Sequence, residues 1–343
     1  MSDKFKTLLK NSTDFVLAQI KKINFPVIRH KISRFFRSWW QLIAILFACI
    51  LFLYYPIGGL LVEDIDTNTD IEIVQKRPEQ SSAIEMMAFI INREVSGKMW
   101  TPNLPFFFPS YFLDNMPNFQ LGMMSSVSNL AQAMSQRLPR SIDDKREMHL
   151  AEAAKLLQYP GNVWMFSPEN RLMPAPSSNS QYRKARKQLI KYSYNLNDGS
   201  EVFYRTPDDL AWFLKRFAAG LGKSLEKIET QVREYSSNLT DTQADDIFYY
   251  TRGQMYADFL LLKALGADYK HIILERNLYL QWTQMLSALE LGAQIAPAIV
   301  RNGEIDSITA PNHLLAVAYY TTRARFLMRE IARTLKMPKP RPQ

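Results

Sequence analysis

Gly220-Leu-Gly222-Lys223-Ser224 ends as a phosphate-binding loop does, with a lysine to meet a phosphate and a hydroxyl for its magnesium ion. That chemistry also needs a glycine five positions before Gly222, where Phe217 stands, and a strand ahead of the loop, which the sequence pattern does not provide. Ser224 and Lys227 share the spacing in which a lysine activates a serine nucleophile, but the S-D-N and K-T-G elements that accompany it do not occur. His30, His149, His271 and His313 are scattered, and Cys49 is the only cysteine, so no metal-ligand spacing and no internal disulfide arise. The sequence therefore assigns no catalytic residue, metal or cofactor. The carboxylate pairs Asp143/Asp144, Asp208/Asp209 and Asp245/Asp246 all fall near expected helix starts, where the helix dipole accounts for them; acid–base work would require them to converge in a cleft.

Two groups of residues remain. Trp100, Asn103, Asp114, Asn115 and Asn118 lie in a stretch, residues 98–120, that holds four prolines and seven aromatic rings. Rings covering apolar faces with amides satisfying hydroxyls would suit recognition of a sugar or peptide, while Asn and Asp beside proline also simply make turns. A loop this rich in Phe must be covered by the helical body, a membrane surface or a partner. The second group, Arg183, Lys184 and Lys187, lies on a basic helix that could meet anionic lipid or a glycan, or could be a solvated face.

Helices must position all of these. Ser82 and Glu85 match a capping box ahead of a stripe of Ile84, Met87, Ala88, Ile91 and Val95, with Gly97 as a stop. Pro102, Pro105, Pro109 and Pro117 exclude a regular helix from the aromatic stretch. Met124 to Leu138 forms one helical stripe, and Ser141 opens another that ends at Tyr159-Pro160-Gly161. Tyr182, Ala185, Leu189 and Tyr192 mark the inner face of the basic helix. Thr206-Pro207-Asp208-Asp209 is a helix start, and Leu210, Leu214, Phe217, Leu221, Leu225, Ile228, Val232 and Tyr235 alternate steps of three and four behind it. Further helices are expected over about 241–265, over about 268–300 with a kink near Pro297, and over 311–337.

From Ser38 to Val62 no residue is charged, a run longer than the roughly 20 residues needed to cross a bilayer. Trp39 and Trp40 open it, and Tyr54 and Tyr55 close its most apolar part, as rings do at the two interfaces. Its length and basic flank favour a membrane span over a core helix, and the absence of a small-x-small site argues against a cleaved signal. The basic excess belongs to the arm before it: residues 1–37 carry nine Lys/Arg against Asp3 and Asp14, whereas Glu63 onward carries 33 basic and 31 acidic residues. That asymmetry points to topology and removes nucleic acid as a partner; the arm stays in the cytoplasm and the remainder is exported, which in a bacterium means the periplasm. Residues 3–23 read as an amphipathic helix that could lie on a leaflet or dock on a partner.

Trp100-Thr-Pro-Asn103 followed by Pro105-Phe-Phe, then Leu113-Asp-Asn-Met-Pro-Asn-Phe-Gln120 and later Gln181-Tyr-Arg183, resembles the signature stretches of an uncharacterised proteobacterial family, a domain of unknown function. The resemblance runs from the anchor to near the C-terminus and implies an inner-membrane protein; it carries no activity, catalytic residue or cofactor.

The expected architecture is all-α: a basic cytoplasmic arm (1–37), a transmembrane helix (38–62), a linker (63–80), a helical region with aromatic and proline-rich loops (81–205), a bundle of long helices (206–337) and a tail (338–343). The expected role is a binding or scaffold domain in a cell-envelope assembly, with the bilayer and an envelope protein or glycan as partners. The oligomeric state is left open. The alternative is an enzyme acting on cell-wall glycan or phospholipid, with Asp114 and Glu94 as paired carboxylates.

Overall fold

The computed structural model describes residues 25–71, 73, 79–137, 148–166, 174–200, 203–235, 241–304 and 311–338. Among them are ten α-helices and no strand: α1 Phe25–Val62, α2 Ser82–Asn92, α3 Asn115–Arg137, α4 Met148–Leu157, α5 Ser178–Asn197, α6 Pro207–Tyr235, α7 Thr242–Asp268, α8 Lys270–Glu275, α9 Tyr279–Gln294 and α10 His313–Lys336. The expected amphipathic helix over 3–23 and the helix start at Ser141 lie outside the described residues. The chain forms two compact units, Met1–Ile57 and Gly58–Gln343.

The first unit holds most of α1, one continuous helix whose stretch from Leu42 to Val62 is long and apolar enough to cross a membrane and is almost wholly unburied; its last turn, from Gly58, belongs to the second unit. Trp39, Trp40 and Tyr54 are exposed, and Tyr54 meets Tyr55 edge-on at 5.3 Å.

The second unit is a helical bundle organised around α7. This helix packs against α2, α3, α6, α9 and α10 and is buried on nearly every side, so its apolar residues follow no single stripe. Asp241 caps its start by accepting from the Ala244 N–H, and the same carboxylate accepts from the Gln231 amide, tying the end of α6 to the beginning of α7. The Thr206 hydroxyl accepts from the Asp209 N–H at the start of α6, and Pro207 occupies the first helical position, where no intrahelical donor is missed. Leu210, Leu214, Phe217, Leu221, Leu225 and Ile228 are buried as the seam requires, each contributing about 1.5–3 kcal/mol of burial. Asn312 caps α10 through Leu315, and α6 and α10 pack along one another.

Four sequence expectations change in detail. Pro117 does not exclude helix: it lies in the first turn of α3, where its missing N–H is not needed. The helix expected over about 241–265, with Gly266 as its stop, runs on to Asp268 as α7 and sets this glycine against the Trp282 ring, with Trp282 Nε1 only 2.6 Å from where a Cβ would sit. The helix expected over 268–300 is two helices, because Asn277 takes a left-handed conformation (φ 54°) between α8 and α9; α9 then ends at Gln294, ahead of Pro297. The cap of α2 is Ser81, one residue before the expected Ser82, and Glu85 takes no part in it.

The rest of the α2 cap comes from the far end of α7. Asp268 accepts from the Ser81 hydroxyl at 2.7 Å and from the Ser82 and Ala83 N–H groups at 2.7 and 3.1 Å. Three charge-assisted hydrogen bonds in a buried place make this carboxylate a substitute for the missing capping box. Asp268→Ala is expected to cost roughly 2–4 kcal/mol, since it strands buried donors, and Asp268→Asn less. Urea unfolding of the detergent-solubilised chain measures both; equal midpoints for the wild type and Asp268→Ala would refute the cap.

Candidate functional site

The aromatic stretch divides into two parts with different tasks. Its first residues are internal staples. Trp100 is buried, donates its indole N–H to the Gly161 carbonyl at 2.8 Å and stands edge-on to Tyr182, whose hydroxyl donates to the Tyr159 carbonyl. Asn103, also buried, donates to the Val163 carbonyl at 3.0 Å. Both residues hold the segment from Gly161 to Val163 against the body with their polar groups, so neither of those groups is presented to a ligand.

Asp114, Asn115 and Asn118 do converge. They open α3, and the Asp114 side chain and carbonyl accept from Asn115 and Asn118 as a helix N-terminus requires. Two of their amides then reach carboxylates distant in sequence: Asn115 donates to Glu63 at 3.1 Å, and Asn118 donates to Asp246 at 2.7 Å. Asp245, in the first turn of α7, completes a group of four carboxylates with Glu63, Asp114 and Asp246. Burial, and then the charges of Asp114, Asp246 and Glu63, push the Asp245 carboxyl up to about 7. Asp246 is raised by burial and by Asp114, against the opposing Asn118 hydrogen bond. The group can hold a proton near neutral pH or meet a cationic side chain. Among the described residues no three His, Cys, Asp or Glu side chains are arranged to hold a metal ion.

Asn118 and Asp246 also form one end of an open cleft of about 790 Å³ whose walls come from the C-terminal half of α6 and the first turns of α7. Lys223, Lys227, Glu226 and Tyr250 line it, with the Lys227 ammonium 5.1 Å from the Tyr250 ring centre. Positive, negative and amide groups alternate over this surface.

The motifs weighed in the sequence take ordinary places. Gly220 to Ser224 lies mid-helix in α6 and makes no loop; Ser224 is buried with its hydroxyl on the Gln254 side-chain oxygen, while Lys227 points to Tyr250 instead. His149 pairs with Gln188, and His313 accepts from the Arg301 N–H, with burial and Arg301 lowering its pKa. Arg183, Lys184 and Lys187 are exposed on the outer face of α5, opposite buried Tyr182, Ala185, Leu189 and Tyr192.

Glu94 departs most from its expected use. It lies in a π-helical turn, Arg93–Gly97, that extends α2, and it is only 1% exposed. One oxygen accepts from Arg93 at 2.7 Å and the other from Gln120 at 3.1 Å; Gln120 in turn accepts from the Thr101 N–H and hydroxyl, and Arg93 donates to the Tyr256 hydroxyl. Both oxygens are committed inside the core, so Glu94 cannot face Asp114 across a cleft as a glycoside-cleaving pair requires. Glu63 joined the site unannounced by sequence, and Asp245 and Asp246 had been explained by the dipole of their helix; the four carboxylates sit on three separate segments, after α1, before α3 and at the start of α7, and only folding brings them together.

Among curated proteins and among solved structures, nothing matches this chain. A family model described as an uncharacterized protein conserved in bacteria (DUF2333) matches residues 100–242 and 223–337, the span from Trp100 to the end of α10. The match takes in α3 to α10 and more than half of the chain, and the chain belongs to this bacterial family.

Proposed function

We propose that the protein is a single-pass inner-membrane protein whose helical body stands in the periplasm and serves as a binding or scaffold component of a cell-envelope assembly. The observation that carries this reading is the helix from Leu42 to Val62, apolar and almost wholly unburied, running into a packed helical body. Nine basic residues ahead of it, with Glu63, Asp64 and Asp66 directly behind it, orient the arm toward the cytoplasm. The mixed-charge cleft between α6 and α7 is the surface suited to a polar protein segment or glycan, because its lysines, carboxylates and amides can each be matched by a hydrated partner. The glycan- or phospholipid-cleaving alternative loses support with Glu94, whose carboxylate is spent inside the fold.

Reporter fusions after Gln343 test the address. Alkaline phosphatase at that position is expected to be active and a green fluorescent protein dark. The reverse pattern would place the body in the cytoplasm and overturn both the orientation and the envelope role.

A further inference from the structure

The second part of the aromatic stretch lies against the last turn of α1. A Cβ on Gly58 would overlap the Pro109 ring, and one on Gly59 would sit 3.5 Å from Leu113 Cδ2, so the 3-10 turn Pro109–Phe112 packs directly on the helix backbone there. The 21 residues from Leu42 to Val62 make a helix of about 31 Å, enough for a hydrocarbon core of about 30 Å. Gly58 lies four residues, or about 6 Å, short of its Val62 end. A turn seated at Gly58 is therefore at the depth that interfacial segments reach, about 5–10 Å into the boundary between headgroups and acyl chains.

The loop has the chemistry for that depth. No residue from Thr101 to Leu113 is charged. Phe106 is 68% exposed and Phe112 70%, with Phe107 and Tyr111 also exposed, and Trp164 extends the surface by meeting Phe107 edge-on at 5.7 Å. Part of the loop's backbone is satisfied internally: the Phe108, Tyr111 and Leu113 N–H groups donate to the Pro105, Phe108 and Ser110 carbonyls, and Pro105 and Pro109 have no N–H to satisfy. The polar boundary falls at the same level on both segments. Val62 gives way to Glu63 where Leu113 gives way to Asp114, and Asn115 bonds to Glu63 across the two.

We propose that residues 104–113 form a membrane foot, whose rings enter the headgroup–acyl boundary of the leaflet from which α1 emerges. Its occupant is lipid, and the proposal rests on the reading of α1 as a membrane span. Two residues flanking the foot tie it to the chain just past the helix end, Asn115 through Glu63 and Lys98 through the Asp64 carbonyl and carboxylate, so the body is held at the bilayer surface by a second contact beside the anchor.

Environment-sensitive fluorophores on single cysteines test this in the full chain, reconstituted in phosphatidylethanolamine–phosphatidylglycerol vesicles. Cys49→Ser supplies the background; Phe106→Cys and Phe112→Cys report the foot, Leu51→Cys the span, and Phe326→Cys on exposed α10 the aqueous body. Circular dichroism confirms that each variant is folded. The expected result is that probes at 106 and 112 are quenched by nitroxide-labelled lipid and lose at least about half of the iodide quenching seen at 326, as a depth of ~5–10 Å requires. Lipid quenching at 51 but iodide quenching at 106 and 112 equal to that at 326 would overturn the foot and leave the anchor standing. Protection at 106 and 112 from both quenchers would mean that protein covers the loop, and would also overturn it. No lipid quenching at 51 would remove the anchor reading itself.

Discussion

Gly253→Ala is expected to lose ~3 kcal/mol or more of stability, although alanine normally stabilises a helix by up to ~1 kcal/mol over glycine. The helices α3 and α7 cross backbone to backbone at two glycines. A Cβ on Gly253 would overlap the Phe119 carbonyl, and one on Gly122 would overlap the Tyr250 carbonyl and stand 2.8 Å from the Gln254 nitrogen. Backbone atoms have no alternative rotamer, so the helices must separate, and the packing of Met123, Val127 and Leu130 in the surrounding core is lost with the contact. Gly253→Val adds two more carbons in the same place and is expected to leave the body unfolded, given a total stability of about 5–15 kcal/mol. Gly220→Ala is the control: its Cβ would meet only the movable ends of Gln254 and Asn129, and a change within about 1 kcal/mol is expected. Thermal unfolding followed by circular dichroism decides the matter, and a Gly253→Ala melting point at or above that of the wild type would disprove the crossing.

The second large effect depends on pH. Asp258 lies midway along α7, 1% exposed, and neither of its oxygens accepts a hydrogen bond in good geometry; the nearby Ser126 hydroxyl donates to the Gln254 carbonyl. Burial pushes this carboxyl up to about 8, against the opposing influence of Ser126. In the unfolded chain the group ionises near pH 4. Below that pH both states hold the proton and stability is full. As pH rises toward 8 only the folded state keeps its proton, so stability falls by up to ~1.4 kcal/mol per pH unit and levels off above the folded pKa. Between pH 5 and pH 8 the loss amounts to roughly 4 kcal/mol. Asp258→Asn removes the titration, so its stability is expected to vary less over that range and to exceed that of the wild type at pH 8. Asp245 acts in the same direction but is only half-buried, and its contribution remains in both proteins, so the difference between them isolates Asp258. Parallel urea midpoints for the two proteins from pH 5 to pH 8 would rule this out.

The sequence carried the helices whose two faces differ. In α6 and α10 one side is buried and the other wet, so spacing and caps placed both within two residues of their observed ends. The central helix α7 is buried all round, which erases the period, and only its start could be read; its end was expected three residues too early. The Asn277 break escaped because a single left-handed residue leaves no mark beyond being Asn. Within the site, Asp114, Asn115 and Asn118 stood out by type, but their partners Glu63 and Asp246 lie 52 and 128 residues away from the amides they meet, beyond any local pattern. Trp100 and Asn103 stood out as well, for an unexpected reason: a buried indole and amide mark a staple between two loops as clearly as they would mark a ligand contact.

The Asp268 cap also sets an order of events during biosynthesis. Ser81 and Asp268 are 187 residues apart, so the first helix of the body emerges from the ribosome with only its local Ser81 cap, and the Ser82 and Ala83 N–H groups wait for Asp268. At about 5–20 residues per second, roughly 10–40 s pass before Asp268 is made. During that interval α2 is a nascent segment awaiting its closing partner, and a chaperone that holds extended chain has a defined window in which to act.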